Sequence, residues 1–346
     1  MKRNKFAIIT AIILGSIALW FYIHNGKGTI NESFRNFAVA DITTVNKIIL
    51  KKNNTTIKLE RQTSGAWTVN EKYAVNGNAL KSLLYAMKNI DVKEPIGKNA
   101  QDSIVKDLIS NGVQCEIYQN DELTKAYYIG KQTTNNSGTS MILMDIETMH
   151  PSEKAFVTYI PGVENNLAAN YFIEERGWRD HTVFKYNPSD IKSIKMEAPL
   201  DPEGGYEISL KGNNNYQVTI LSTKQVLNNL DTSAVKQYLS YFEQLNFEKF
   251  VSDWNPIQMD SLLKSTPLKI LTVTDNTNKI NKVQFYPLKK TNNNTLAQNG
   301  KPLKFDPERM IALLDNGKDI VIVKFYEFGK VMPPANYFQK KYIKST

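Results

Sequence analysis

Apolar positions over residues 45–50, 56–59 and 67–69 fall in short runs of strand length, broken by the turn formers Asn53-Asn54 and Ser64-Gly65. The period then changes. Leu80, Leu83, Leu84, Met87 and Ile90 recur at the spacing of one helix face and predict an amphipathic helix over 78–89. A second helix over 102–109 ends near Asn111-Gly112, a natural stop. Residues 113–118 and 125–129 predict a hairpin across the turn at 119–123, and a further strand occupies 140–144. The stretch 156–160 then leads through Pro161-Gly162 to Ala169-Asn170-Tyr171-Phe172.

This order of elements runs a second time. Strands over 191–196, 206–210 and 216–220 precede a helix carrying Val235, Tyr238, Leu239, Phe242 and Leu245, in the register that the first helix shows from Leu80. A short helix over 259–263, a hairpin of 268–273 with 282–286, and a strand over 320–323 follow, ending at Ala335-Asn336-Tyr337-Phe338. The stretch from Asn187 to Lys195 echoes that from Ala40 to Lys47, so one repeat ends and another begins within a few residues. The offset between matching positions is 149 at Trp67 and Tyr216, and 155 at Leu80 and Val235 and at Val113 and Leu268. It reaches 157 at Ile129 and Tyr286 and 166 at Tyr171 and Tyr337. The increments fall in loops, the last on the low-complexity run 291–300, and loops absorb insertions that cores do not.

The expected fold is therefore α+β: a tandem duplication of a mostly antiparallel sheet-plus-helices unit, with repeat 1 over 37–178 and repeat 2 over 179–338. Trp178, Arg179 and Asp180 form the structural junction between the repeats. Tyr171 and Phe172, and again Tyr337 and Phe338, are expected to be equivalent closures of the two repeats, with both tyrosines mostly buried.

The N-terminus follows neither period. Lys2, Arg3 and Lys5 precede an uncharged run of 18 residues that opens at Phe6 and closes at Ile23. As a helix it would be about 27 Å long, near the thickness of a bilayer core. Trp20, Phe21 and Tyr22 sit at its far end, where aromatic rings favour the lipid–water interface. Residues 1–25 thus predict a transmembrane signal anchor that takes the lipid bilayer as partner through 6–23 and precedes the two repeats. Residues 26–36 are a linker and 339–346 a basic tail. Basic residues before the span keep that end in the cytoplasm, which places the protein in the inner membrane as a single-pass chain with an extracytoplasmic bulk. The rival reading is a cleaved signal peptide at Ser16-Ile17-Ala18, but the apolar run continues past that site.

Composition changes little in this picture. A net charge of +9, from 43 basic and 34 acidic residues, admits an anionic partner, but the basic residues form no stripe, and nucleic acid is not expected as a partner. The lone Cys115 shares a strand face with Val113 and Ile117 and is read as a small buried hydrophobe. His24, His150 and His181 show no ligand spacing. No phosphate loop, nucleophile elbow or paired-cysteine site occurs, so no catalytic, cofactor-binding or metal residue is assigned and no cofactor or enzymatic activity is expected. Asp180 and His181 could form an acid–base pair, but pinning of the crossover by Arg179 and Asp180 is the preferred reading.

Phe37-Ala38-Val39-Ala40-Asp41, Trp67-Thr68-Val69-Asn70, Glu116-Ile117-Tyr118, Tyr128-Ile129-Gly130, Ile160-Pro161-Gly162 and Trp178-Arg179-Asp180 resemble the DUF4340 family, a domain of unknown function, in its Bacteroidetes-type form. The resemblance covers about 37–338 and carries no catalytic signature. It implies a membrane-anchored envelope protein, in some members encoded beside ABC transporter components. The leading reading is a non-enzymatic scaffold or accessory component of such a membrane transport complex. A periplasmic or surface glycan- or lipid-binding module is the first alternative. A hydrolase of envelope polymers working through carboxylates is the second.

Overall fold

A computed structural model describes residues 13–16, 35–134, 136–163, 167–212, 215–251, 254–290, 303–314 and 319–340. The chain divides into two compact units, Met1–Asp180 and His181–Thr346. Both are α+β, with a large antiparallel sheet and few helices.

Unit 1 contains β1 (Val45–Lys52), β2 (Thr55–Arg61), β3 (Trp67–Val69), β4 (Tyr73–Ala74), α1 (Gly77–Asn89), β5 (Asp91–Pro95), α2 (Lys98–Asn111), β6 (Val113–Gln119), β7 (Glu122–Gln132), β8 (Thr139–Met144) and β9 (Pro151–Tyr159). The nine strands lie in the order β4-β3-β2-β1-β6-β7-β8-β9-β5. Alternation along the strands sends Ile48, Leu50, Ile57, Leu59, Cys115, Ile117, Tyr127 and Ile129 to one face, under Leu80, Leu83, Ala86 and Met87 of α1. Helix α2 covers part of the opposite face, packing Leu108 on Ile142 and Ala155. Between these layers every residue of β8 is buried, which is why Thr-Ser-Met-Ile-Leu-Met reads as a near-continuous apolar run. Gly130 leaves room for α2, since a Cβ there would stand 2.6 Å from Leu108 Cδ2.

The stretch before β1 is built into the same core. Phe37 and Val39 are buried, the Val39 N–H donates to the Met87 carbonyl at 2.9 Å, and the Phe37 ring lies 6.2 Å from those of Tyr127 and Phe156. Lys125, on the core side of β7 opposite Ile117, donates its ammonium to Asn36 O, Asn36 Oδ1 and Ala38 O.

Unit 2 contains β10 (Thr182–Phe184), β11 (Ile191–Glu197), β12 (Tyr206–Leu210), β13 (Tyr216–Ile220), α3 (Thr232–Ser240), β14 (Leu245–Asn246), β15 (Lys249–Phe250), α4 (Pro256–Leu263), β16 (Lys269–Asp275), β17 (Ile280–Lys289), β18 (Phe305–Leu314) and β19 (Asp319–Lys324). Its sheet runs β13-β12-β11-β16-β17-β18-β19-β15, while β10 and β14 pair separately. Val235, Tyr238 and Leu239 of α3 cover one sheet face, and Leu262 of α4 meets Tyr286, Ile311, Leu313, Ile320 and Ile322 on the other.

Several details differ from the sequence expectations. Strands β4, β5, β10, β14, β15 and β18 carry too little alternation to be foreseen, and β9 begins at Pro151, five residues before the apolar stretch at 156. Ile129 and Tyr286 are not matching positions. Cys115 pairs with Tyr127 and Leu271 with Val283, which puts Ile129 and Phe285 in the two main cores. Tyr286, one residue on, points to the far face. Among the described residues no helix is long and apolar enough to cross a membrane. Of the expected span 6–23, residues 13–16 alone are described, in helical conformation with Ile13 and Leu14 exposed. The rest of it, most of the linker, the run 291–300 and the tail from 341 lie outside the described residues.

Candidate functional site

The junction residues close unit 1. The Trp178 ring is wholly buried, stacks on Phe172 at 4.1 Å and donates its indole N–H to the Phe172 carbonyl at 2.8 Å. Its carbonyl accepts the Asn76 N–H at 2.8 Å, at the start of α1. Arg179 bridges to Val75 and lays its guanidinium 3.7 Å from the Tyr73 ring centre, and the Asp180 N–H donates to Ala74 O. His181 stacks on Phe247 at 4.3 Å.

The four closure residues do not form two equivalent pairs. Tyr171 is 1% exposed, with its hydroxyl 3.0 Å from that of Tyr127, whereas Tyr337 is 38% exposed. Phe172 is half-buried against Trp178, and Phe338 is wholly buried between Tyr206 and Tyr238. The residue in unit 2 that occupies the place of Trp178 is Phe338. Its carbonyl accepts the N–H of Asp231, the cap of α3, and Gln339 bridges to Leu230 as Arg179 does to Val75. Tyr337 is therefore not buried as Tyr171 is, and the short turns Glu175–Trp178 and Ala335–Phe338 both end on an aromatic residue whose carbonyl accepts from a helix cap.

Titratable groups within the cores are shut away from solvent. Burial pushes the Cys115 thiol and the Tyr127 and Tyr171 phenols well above their usual range, so all three stay protonated and unreactive. On the far face of the sheet, beside α2, the buried carboxylate of Glu116 pairs with Lys51 and accepts from Gln114 Nε2 at 2.9 Å and the Tyr118 hydroxyl at 3.2 Å. The Lys47 ammonium covers the Tyr118 ring at 4.0 Å. This network is satisfied by side chains of β1 and β6 and ties those two strands together.

Space for a ligand lies elsewhere. One open cleft of about 670 Å³ runs along α1, past Lys81, Ser82 and Tyr85, against Leu167 and Asn170. A second, of about 440 Å³, sits where β1, β6 and β7 end. Val113, Ile129, Tyr171, Phe172 and Ile173 give it an apolar floor, and Lys52, Asn111, Lys131, Gln132 and Glu174 form its rim. Sequence reasoning missed both clefts, because their walls come from positions as far apart as Lys52 and Glu174. Among the described residues no three His, Cys, Asp or Glu side chains group in a way that could hold a metal ion.

A family model described as "Domain of unknown function (DUF4340)" matches residues 67–262. None of the curated proteins and none of the solved structures matches the chain.

Proposed function

Because the chain belongs to the DUF4340 family, whose description assigns no activity, we propose a function from its own residues: a non-enzymatic, membrane-anchored envelope protein that serves as a scaffold or accessory component of a membrane transport complex of the ABC type. The reading puts an anchor over residues 6–23 in the inner membrane, with the N-terminus in the cytoplasm and both units outside it. The observation that carries it is the attachment of the chain just after the linker. Phe37 and Val39 in the core, and Lys125 on Asn36 and Ala38, make the approach to unit 1 part of its fold. A scaffold held by one span needs such an attachment, so that position at the membrane is passed to the domain. The same order of sheet strands in both units supports a tandem duplication, which offers a partner two surfaces of one design.

Protease added to spheroplasts is expected to digest the chain beyond residue 25, and crosslinking of intact membranes is expected to recover a transport component. A protected ectodomain reverses the topology, a mature N-terminus near Leu19 removes the anchor, and recovery of the chain alone ends the scaffold reading.

A further inference from the structure

We infer that the cleft at the ends of β1, β6 and β7 binds a small amphiphilic carboxylate, an acyl chain ending in an anionic head. This goes beyond the scaffold reading and does not depend on it. The first observation is a lysine out of keeping with its neighbours. Unit 1 has five half-buried lysines among its described residues. Lys51 pairs with Glu116, Lys58 pairs with Glu60 and Glu71, Lys125 is held by Asn36 and Ala38, and Lys47 lies over the Tyr118 ring. Lys52 has no acceptor among the described residues, and it lines the cleft. An anion entering the cleft would give this ammonium the charge-assisted partner that the other half-buried lysines of unit 1 already have.

The second observation is that the cleft repeats the charge. Lys131, from the far end of β7, lines it too, with its side chain exposed and with no partner among the described residues. Glu174 stands on the same rim and pairs with neither lysine. Two lysines on the lining of one cleft favour a carboxylate over a neutral ligand.

The third observation is the floor. Ile129, Phe172 and Ile173 give the cleft an apolar base, and the stacking of Phe172 on Trp178 fixes its ring. The volume of about 440 Å³ is in the range of small-molecule sites. Inorganic phosphate would satisfy the lysines and leave this floor wet, and an alcohol would cover the floor and leave the lysines unpaired. An acyl carboxylate satisfies both.

The test uses the full chain in zwitterionic nanodiscs, with binding of octanoate read by saturation-transfer NMR and corrected against empty nanodiscs. Octanoate is expected to bind more tightly than octanol, acetate or inorganic phosphate. Lys52→Gln should weaken it about tenfold, the scale of one charge-assisted hydrogen bond. Lys131→Gln should weaken it as well, while Lys154→Gln, on the exposed side of β9, should leave it unchanged, and all three variants should keep the wild-type melting temperature. Equal binding of octanol, displacement by phosphate as effective as by octanoate, or indifference to Lys52→Gln would overturn the inference.

Discussion

Lys125 shows how one side chain can make an attachment dependent on pH. Burial pulls its ammonium from the ordinary 10.5 down to about 8, while three oxygens of residues 36 and 38 accept its protons. The folded value lies below the unfolded one, so between about 8 and 10.5 the unfolded chain holds the extra proton, and stability from this group rises with pH across that window. Below pH 8 both states are charged and its contribution is level. The difference in urea midpoint between wild type and Lys125→Met should therefore grow from pH 8 to pH 10, and a flat or falling difference would count against the assignment. The helical leucines offer a simpler contrast. Leu83 and Leu239 are fully enclosed, and truncation of either to alanine is expected to cost about 2–5 kcal/mol in denaturant melts, the usual range for a cavity. Leu84, half-buried beside Leu83, should cost less.

At the scale of elements, each main helix starts on one residue with two jobs. The Asn76 carboxamide oxygen accepts the N–H groups of Asn78 and Ala79, and Asp231 Oδ1 does the same for Ser233 and Ala234. The backbone N–H of each cap residue meanwhile ties down the end of its unit, at Trp178 and Phe338. Asn76→Ala and Asp231→Ala should each lower stability by about 0.5–2 kcal/mol with an unchanged denaturant slope, and Asn76→Asp should restore most of it. Loss of less than a few tenths would show that solvent replaces the cap. Helices α1 and α3 were legible in the sequence because a 3.6-residue period survives wherever one face is covered and the other is wet. Strand β5 was not, since Val92 is its one buried residue. Strand β18 opens with Phe305-Asp306-Pro307-Glu308, which reads as a turn, before its apolar half begins. In β17 the adjacent Phe285 and Tyr286 are both buried, on opposite faces, because α4 covers the second face, and this erased the alternation that fixes register. The cleft had no signal at all. Lys52, Lys131 and Phe172 acquire a common meaning only when the strand ends and the chain after Leu167 meet.

For the whole molecule, the question is whether the two units are folding units or halves of one. Every residue of the first main core lies between Phe37 and Trp178, and every residue of the second between Val183 and Phe338. The sheets share no strand, and the end of each unit bonds back within that unit, Asp180 N–H to Ala74 O in the first and Lys340 N–H to Asn229 O in the second. At roughly 145 to 160 residues each has the usual size of an independent domain, long enough to bury a core without help. A fragment of residues 35–180 and one of residues 181–340 should therefore each unfold cooperatively, with dispersed amide spectra, when expressed alone. The first should fail when Phe37 is removed with the preceding residues, because its wholly buried ring packs against both Tyr127 and Phe156 in the core. The second, which already ends at 340, keeps Phe338 and its bond to Asp231 and should fold without the residues that follow. A fragment 35–180 that stays unfolded while the intact chain folds would mean that the boundary at Asp180 and His181 divides a single cooperative structure, and the duplication would then concern ancestry and not stability.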